Sequence, residues 1–237
     1  MTSGETLRGD PGQTGDTGLT ASPRVTGVIV VAHGGQSAST EPASAFQLAV
    51  LRMIPVATAL RSAVQGTGIV IRRPRFQVRG WNGDLASPVS DLNRALDEIL
   101  GVHGRVPVVL IGHSMGARAV MRAAGHPAVS AVAGLAPWLP PGEPAGQLAG
   151  RRVLVAHATA DSITSPADTW AYVERARTVT RVAAIEVRHG DHPMLRRARL
   201  WHAIAAEFAR SAFGLPPGAD PALAAAVKAA AEPRTVL

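Results

Sequence analysis

Several kinds of residue and segment are missing from this 237-residue chain, and each absence excludes a class of site or of protein. There is no cysteine, which excludes disulfides, thiolate zinc sites and cysteine-bound iron–sulfur clusters. No run approaches the roughly 20 apolar residues that a membrane-spanning helix needs. The first residues, MTSGETLRGDPGQTGDTGLTASPR, lack the apolar core of a secretion signal, so the sequence predicts a cytoplasmic protein.

Lysine and aromatic residues are scarce, although the chain is basic. The formal net charge is +7, yet Lys228 is the single lysine and aromatic residues make up 4% of the chain. The arginines are spread along the sequence without a nucleic-acid-reading motif, so we expect a compositional bias toward arginine and no nucleic-acid partner. With 46% hydrophobic residues, the chain can form one sizeable core.

Signatures of three other chemistries are also absent. The sequence contains no GxxxxGK[ST] phosphate loop, no GxGxxG after an apolar strand and no HExxH metal pair. His189 and His192 could share a metal ion, but Asp191 is the only further ligand in their loop. We therefore expect no metal site.

Apolar runs and helical patterns alternate along the middle of the chain. The runs are continuous, which is typical of strands buried on both faces, and they predict an α/β fold: a mostly parallel sheet of about six strands with helices on both faces. Ser87 predicts the start of a helix and Gly101 its end. We expect residues 1–24 to be a disordered lead, 25–214 one folded domain and 215–237 a peripheral Pro- and Ala-rich tail. The six predicted strands lie in GVIVVAH, GIVIRR, VPVVLIG, VSAVAGLAP, RRVLVAHA and RVAAIEVRH.

Ser114 lies between two glycines at a predicted strand-to-helix turn, in the segment VVLIGHSMGARAV. Gly112 and Gly116 give the strand and helix backbones room to approach each other. The N-terminus of the following helix favours negative charge developing beside the serine. The pattern predicts Ser114 as a catalytic nucleophile, and the alternative is that it only caps the helix.

A nucleophilic serine needs a base, and the base is oriented by an acid. Asp161 follows the predicted strand RRVLVAHA and is the predicted acid. Asp168 lies three residues after Ser165, which a helix capping box explains better. Asp191 is adjacent to the predicted base, His192, and its side chain would have to turn back along the same loop.

The predicted base is His192, because it follows the strand RVAAIEVRH in a loop. His189 lies on or near that strand and is the alternative. His113 is next to the serine, where it could line the substrate pocket but could not act as the base. His33 and His157 are interpreted as structural residues.

Backbone amides are expected to stabilise the negative oxygen of the acyl-transfer transition state. One predicted donor is the amide of Met115, which follows the nucleophile. The second is placed in the glycine pair after the first strand, at Gly35 or, as the alternative, at Gly34. An ordinary glycine turn would also explain this pair.

Taken together, these segments resemble the α/β-hydrolase superfamily. The likeness lies in HGG at 33–35, GHSMG at 112–116, HATADSITSP at 157–166 and HGDHPML at 189–195. The resemblance implies hydrolysis through an acyl-enzyme without metal or organic cofactor, and it identifies residues 25–214 as the hydrolase domain. It also implies that the first two strands of the family's eight-stranded sheet are missing here.

The connection Trp138–Arg151 is too short for the helical cap of many family members. We therefore expect a capless serine hydrolase that cleaves carboxylic esters or thioesters with small to medium acyl groups. A non-catalytic, receptor-like relative that binds a small molecule is the alternative, and transfer of the acyl group to an acceptor other than water stays open. The residues expected to bind substrate, besides the Met115 side chain, are Gly34, Gln36, His113, Trp138 and Met194.

Overall fold

The computed structural model describes residues 24–229 and 234–237, so all but the last residue of the expected lead lies outside the described residues. Within this part of the chain, seven strands form one sheet in the order β2-β1-β3-β4-β5-β6-β7. Every neighbouring pair is parallel. The strands are β1 (Gly27–Ala32), β2 (Ile69–Arg72), β3 (Val108–His113), β4 (Val129–Leu135), β5 (Arg152–Ala158), β6 (Val182–Val187) and β7 (Thr235–Val236).

Helices cover both faces of the sheet, which confirms the predicted fold class. Helices α3, α4 and α5 pack on one face and α2, α6 and α7 on the other. The helices are α1 (Leu48–Leu51), α2 (Met53–Ala63), α3 (Ser87–His103), α4 (Met115–Ala123), α5 (Pro166–Arg177), α6 (Ala198–Ala212) and α7 (Pro221–Lys228).

The central strands are apolar throughout because both of their faces are covered. In β1, Val28 and Val30 pack against α3 and α4, whereas Ile29 and Val31 pack against α2 and α6. Successive side chains of a strand point to opposite faces, so a strand between two helix layers needs an apolar residue at each position.

The predicted helix at Ser87 extends further than its sequence signal suggests. Gly101 lies inside α3, which ends at His103, and the capping residue is Gly104, whose φ of 69° lies in the region that favours glycine. A glycine inside a helix costs about 1 kcal/mol relative to alanine, which the packing of α3 on the sheet offsets.

The segment expected to be a peripheral tail is part of the fold, and the sheet has seven strands rather than about six. Leu223 and Val227 of α7 are buried in the core on the α6 side. The pair Thr235–Val236 adds β7 beside β6. Small alanines let α7 pack closely, and a two-residue strand is too short to produce a recognisable pattern.

Because the strands are parallel, all of them end at the same edge of the sheet, where ligand sites of such folds lie. The segments that carry the predicted acid, base and nucleophile follow β5, β6 and β3 at this edge. The glycine pair at 34–35 follows β1 at the same edge.

Candidate active site

Ser114 is held in a sharp turn between β3 and α4. Its φ of 57° and ψ of −120° are strained for any residue other than glycine. A Cβ on Gly112 would overlap the backbone of Gly116, and a Cβ on Gly116 would overlap the carbonyl oxygen of His33. Glycine is therefore required at both positions for the strand, the turn and the helix to approach as they do.

The structure brings the predicted serine, acid and base together in one hydrogen-bonded chain. Ser114 Oγ lies 3.0 Å from His192 Nε2, and His192 Nδ1 lies 2.8 Å from Asp161 Oδ2. Ser114 and His192 are each 8% exposed, while the Asp161 side chain is fully buried. This arrangement lets an imidazole accept the serine proton while a carboxylate stabilises the resulting charge.

The surroundings of Asp161 keep its carboxyl group ionised. Burial alone raises its pKa, but the polar contacts with His157 and His192 and the backbone amides of Thr164 and Ile163 lower that pKa well below its usual range. The two amides donate to Oδ1 at 2.9 and 2.8 Å, and the Thr164 hydroxyl donates to Oδ2 at 2.9 Å.

His113 supports the loop that carries His192. Its Nε2 donates to the backbone carbonyl of His192 at 2.8 Å. Burial and the nearby His192 lower the pKa of His113 to about 3, so its ring is neutral. The structure thus corrects the expectation that His113 lines the substrate pocket, because the ring is buried and engaged with this loop.

The alternative acids and the alternative base are engaged elsewhere. Asp191 Oδ1 accepts the backbone amides of Leu195 and Arg196 at 2.9 and 3.0 Å, which holds the turn before α6. Asp168 occupies the first turn of α5, and its amide donates to Ser165 Oγ at 3.1 Å. His189 is an exposed turn residue with a φ of 55°.

The loop after β1 passes beside the serine. The His33 ring fixes it, since Nδ1 donates to the Gly34 carbonyl at 2.7 Å and Nε2 accepts the Phe76 amide at 3.1 Å. An ideal Cβ on Gly34 would lie 3.3 Å from Ser114 Cβ. A side chain at position 34 would therefore crowd the predicted nucleophile.

Three amides near Ser114, those of Gly34, Gly35 and Met115, donate to no backbone carbonyl within the described residues. The amide of Gln36 donates to the Arg79 carbonyl at 2.9 Å, whereas those of Gly34 and Gly35 have no backbone acceptor among the described residues. Met115 is the first residue of α4, where an amide has no partner within the helix. The geometry is thus compatible with one donor from the loop and one from the helix.

The expectation that the side chains of Met115 and Met194 bind substrate is wrong. Met115 and Met194 are 1% and 3% exposed and pack in the two hydrophobic cores. Trp138 is half-buried beside the Trp81 ring, and Gln36 is exposed at the edge of the sheet.

Sequence reasoning missed two residues that contact the acid. Thr164 bonds Asp161 and lies 3.2 Å from His192 Nδ1, and His157 Nε2 lies 3.1 Å from Asp161 Oδ2. The HATAD segment contained a usable signal for His157. It lies at the end of a predicted buried strand, four residues before the acid.

A family model described as the alpha/beta hydrolase family matches residues 29–236. The chain belongs to the alpha/beta hydrolase family. The matched residues include nearly all of the described chain, β7 among them, and contain the Ser114 turn between β3 and α4. The comparison with curated proteins gives no match.

Solved structures share the fold at low sequence identity. A serine hydrolase without a lid from Xanthomonas campestris is 21% identical, with coverage of 82% of this chain and 85% of that chain and a TM-score of 0.55. An alpha-beta serine hydrolase homologue from Coxiella burnetii is 16% identical, with coverages of 78% and 86% and a TM-score of 0.58. A monoacylglycerol lipase from Paleococcus ferrophilus is 16% identical, with coverages of 78% and 94% and a TM-score of 0.55.

Within residues 24–229 and 234–237, none of the helices has both the length and the apolar character needed to cross a bilayer.

Proposed function

We propose that this alpha/beta hydrolase is a serine hydrolase that cleaves carboxylic esters or thioesters through an acyl-enzyme. The observation that carries the proposal is the chain Ser114–His192–Asp161, with contacts of 3.0 and 2.8 Å, built on a strained strand-to-helix turn. A serine that only capped α4 would need neither a histidine at its hydroxyl nor a strained backbone, and Ser114 makes no side-chain cap bond.

The proposed reaction begins when His192 Nε2 takes the proton of Ser114 Oγ as the oxygen attacks the substrate carbonyl. The negative oxygen of the tetrahedral intermediate accepts hydrogen bonds from the amide of Met115 and from that of Gly35, with Gly34 as the alternative. His192 then protonates the leaving alcohol or thiol. Water, activated by the same imidazole, cleaves the acyl-enzyme and regenerates the serine.

The proposed substrate carries an apolar acyl group that stays partly open to solvent. Residues 136–151, between β4 and β5, contain only the 3₁₀ turn Gly146–Leu148, so this connection adds no cap. Large exposed apolar side chains stand on segments that follow four of the strands at the same edge. They are Phe46 after β1, Leu85 after β2, Ile163 after β5 and Leu195 after β6.

Two structural neighbours support ester chemistry as the proposed class. One is described as a serine hydrolase without a lid and another as a monoacylglycerol lipase. The receptor-like alternative would keep the fold and the pocket but would not need an activated serine.

Covalent labelling separates the two functions. A fluorophosphonate should label the wild-type protein at Ser114, and folded Ser114→Ala should be neither labelled nor active. Because such serines contribute about 10⁶ in turnover, hydrolysis by that variant should be near background. A panel of p-nitrophenyl esters and acyl-CoA thioesters then identifies the leaving group. An unlabelled, inactive wild-type protein that binds a small acyl compound would support the receptor-like function instead.

A further inference from the structure

His157 is a second histidine in contact with the predicted acid. It is the penultimate residue of β5 and is fully buried. Its Nε2 lies 3.1 Å from Asp161 Oδ2, and its Nδ1 lies 2.9 Å from the hydroxyl of Thr169 in α5. Thus Asp161 Oδ2 has imidazole nitrogens of two histidines as neighbours, at 2.8 Å from His192 and 3.1 Å from His157.

The chemistry of these groups fixes where the proton of His157 lies. An ionised carboxylate only accepts hydrogen bonds, so the nitrogen facing Asp161 must carry the hydrogen. Nδ1 of a neutral ring is then an acceptor, and the Thr169 hydroxyl is the donor that meets it. The buried Thr169 hydroxyl is therefore a matching partner for the tautomer that presents an N–H to the acid.

The Nε2–H of His157 does not point straight at the acid. Asp161 Oδ2 lies 3.1 Å from this buried nitrogen, but the contact is not aligned as a hydrogen bond. No other acceptor within the described chain bonds the nitrogen. A buried donor without a partner costs about 1–3 kcal/mol, so a small rotation toward the carboxylate is favoured. Catalytic hydrogen bonds are commonly long or bent before substrate binds and tighten afterwards.

We propose that His157 is a positioning residue for Asp161, and that Thr169 holds its tautomer. This inference rests on the proposed function. The N–H of His157 holds one carboxylate oxygen of Asp161 in place and partly offsets the carboxylate charge. Asp161 can then orient His192 without holding the Nδ1 proton of His192 too tightly. The resulting chain runs from Thr169 through His157, Asp161 and His192 to Ser114.

The other titratable or charged groups near His157 and Asp161 have partners of their own. Glu186 of β6 is level with His157 in the sheet and forms an ion pair with Arg234 at 3.6 Å. The Trp170 ring packs edge-on to His157, and Arg234 stacks on Trp170. His113 is neutral and bonded to the His192 carbonyl.

The test measures the pH profile of kcat/KM for His157→Leu against the wild-type enzyme, with product quantified chromatographically. Loss of the N–H leaves more negative charge on Asp161, which strengthens its hydrogen bond with the His192 imidazole. We expect the acid limb to move upward by about 0.5 pH unit and kcat to fall about tenfold, with KM unchanged. His157→Gln keeps an N–H donor and should recover much of both effects.

Two further variants keep the test decisive if His157→Leu fails to fold. Thr169→Val removes one hydroxyl at nearly constant volume and should shift the acid limb in the same direction by a smaller amount. Tyr172→Phe removes a buried side-chain bond of the same helix, to the Pro144 carbonyl at 3.2 Å, and should leave the profile unchanged.

Failure of this inference is distinguishable from failure of the proposed function. A wild-type protein that a fluorophosphonate labels, with folded His157 and Thr169 variants of unchanged kcat and acid limb, would show that His157 only fills the core. A wild-type protein that is neither labelled nor active would overturn the proposed function itself. A profile that moves equally in Tyr172→Phe would also overturn the positioning role.

Discussion

Two buried carboxylates, Glu143 and Asp161, follow neighbouring strands of the sheet, and they differ in the groups that face them. Glu143, after β4, is bound by the Nε of Arg118 at 2.6 Å and by the Nε of Arg122. Asp161, after β5, is bound among the described residues by imidazole, hydroxyl and amide groups. Both side chains are nearly or fully inaccessible to solvent.

The difference separates a structural carboxylate from one that can assist a reaction. Two guanidinium groups neutralise the charge of Glu143, and the Trp81 and Trp138 rings enclose Arg118 at 3.9 and 4.6 Å. Within the part of the chain that the structure describes, Asp161 forms no ion pair with an arginine, so in the proposed mechanism its charge remains to stabilise a proton on His192. The comparison leads to four predictions.

The largest effect is expected from neutralising Asp161. Asp161→Asn keeps the shape of the side chain but removes the charge and favours the wrong tautomer of His192, so turnover should fall by about 10⁴. Ester hydrolysis by the folded variant measures this loss, with Asp168→Asn as the matched control, which should change only the first turn of α5. If Asp168→Asn abolishes turnover and Asp161→Asn does not, the two roles are reversed.

Neutralising Glu143 should lower the free energy of unfolding and leave turnover unchanged. Glu143→Gln leaves Arg118 and Arg122 without their anion, and breaking a buried ion pair in this way costs about 3–5 kcal/mol of unfolding free energy. Urea unfolding measures the cost, and kcat per folded molecule should be unchanged.

The control for Glu143→Gln is the exposed pair formed by Glu41 and Arg79, which are 68% and 33% exposed. Glu41→Gln should change the unfolding free energy by at most about 1 kcal/mol. Equal losses of unfolding free energy in Glu41→Gln and Glu143→Gln would contradict the view that burial makes the ion pairs of Glu143 important.

The sequence indicated the position of Asp161 but not that of Glu143. That Asp161 and His192 lie near Ser114 could be predicted because each follows a continuous apolar run, and such runs mark strands that end at one edge of a parallel sheet. The position of Glu143 could not be predicted, since its loop has no periodic pattern and its partners Arg118 and Arg122 lie on another element. Met194 was misassigned because no local pattern shows that a loop methionine turns into the core.

Acid should weaken the fold through Asp161. The pKa of this carboxyl group is lower in the folded protein than in the unfolded chain, so its contribution to stability is fully present above the unfolded value of about 3.9. The contribution is lost as the pH falls from there toward the folded pKa. Unfolding free energy measured between about pH 5 and 2 should therefore fall less steeply in Asp161→Asn than in the wild-type protein. Equal slopes would show that the carboxyl titrates alike in both states.

The smallest effect is expected in the dependence on acyl-chain length. The loop that carries Glu143 is where a cap would be inserted, but it contains one 3₁₀ turn and is tied by Glu143 to α4. A buried methylene contributes about 0.8 kcal/mol, so an enclosed channel would raise kcat/KM steeply with chain length. Over an open edge most added methylenes stay in water, and kcat/KM should flatten beyond medium chains.

The measurement is a p-nitrophenyl ester series from acetate to palmitate, below and above the micelle threshold, in wild-type protein and Glu143→Gln. A steep rise toward palmitate with a jump at the interface, present in the wild type and lost in Glu143→Gln, would mean that this loop closes over the acyl chain.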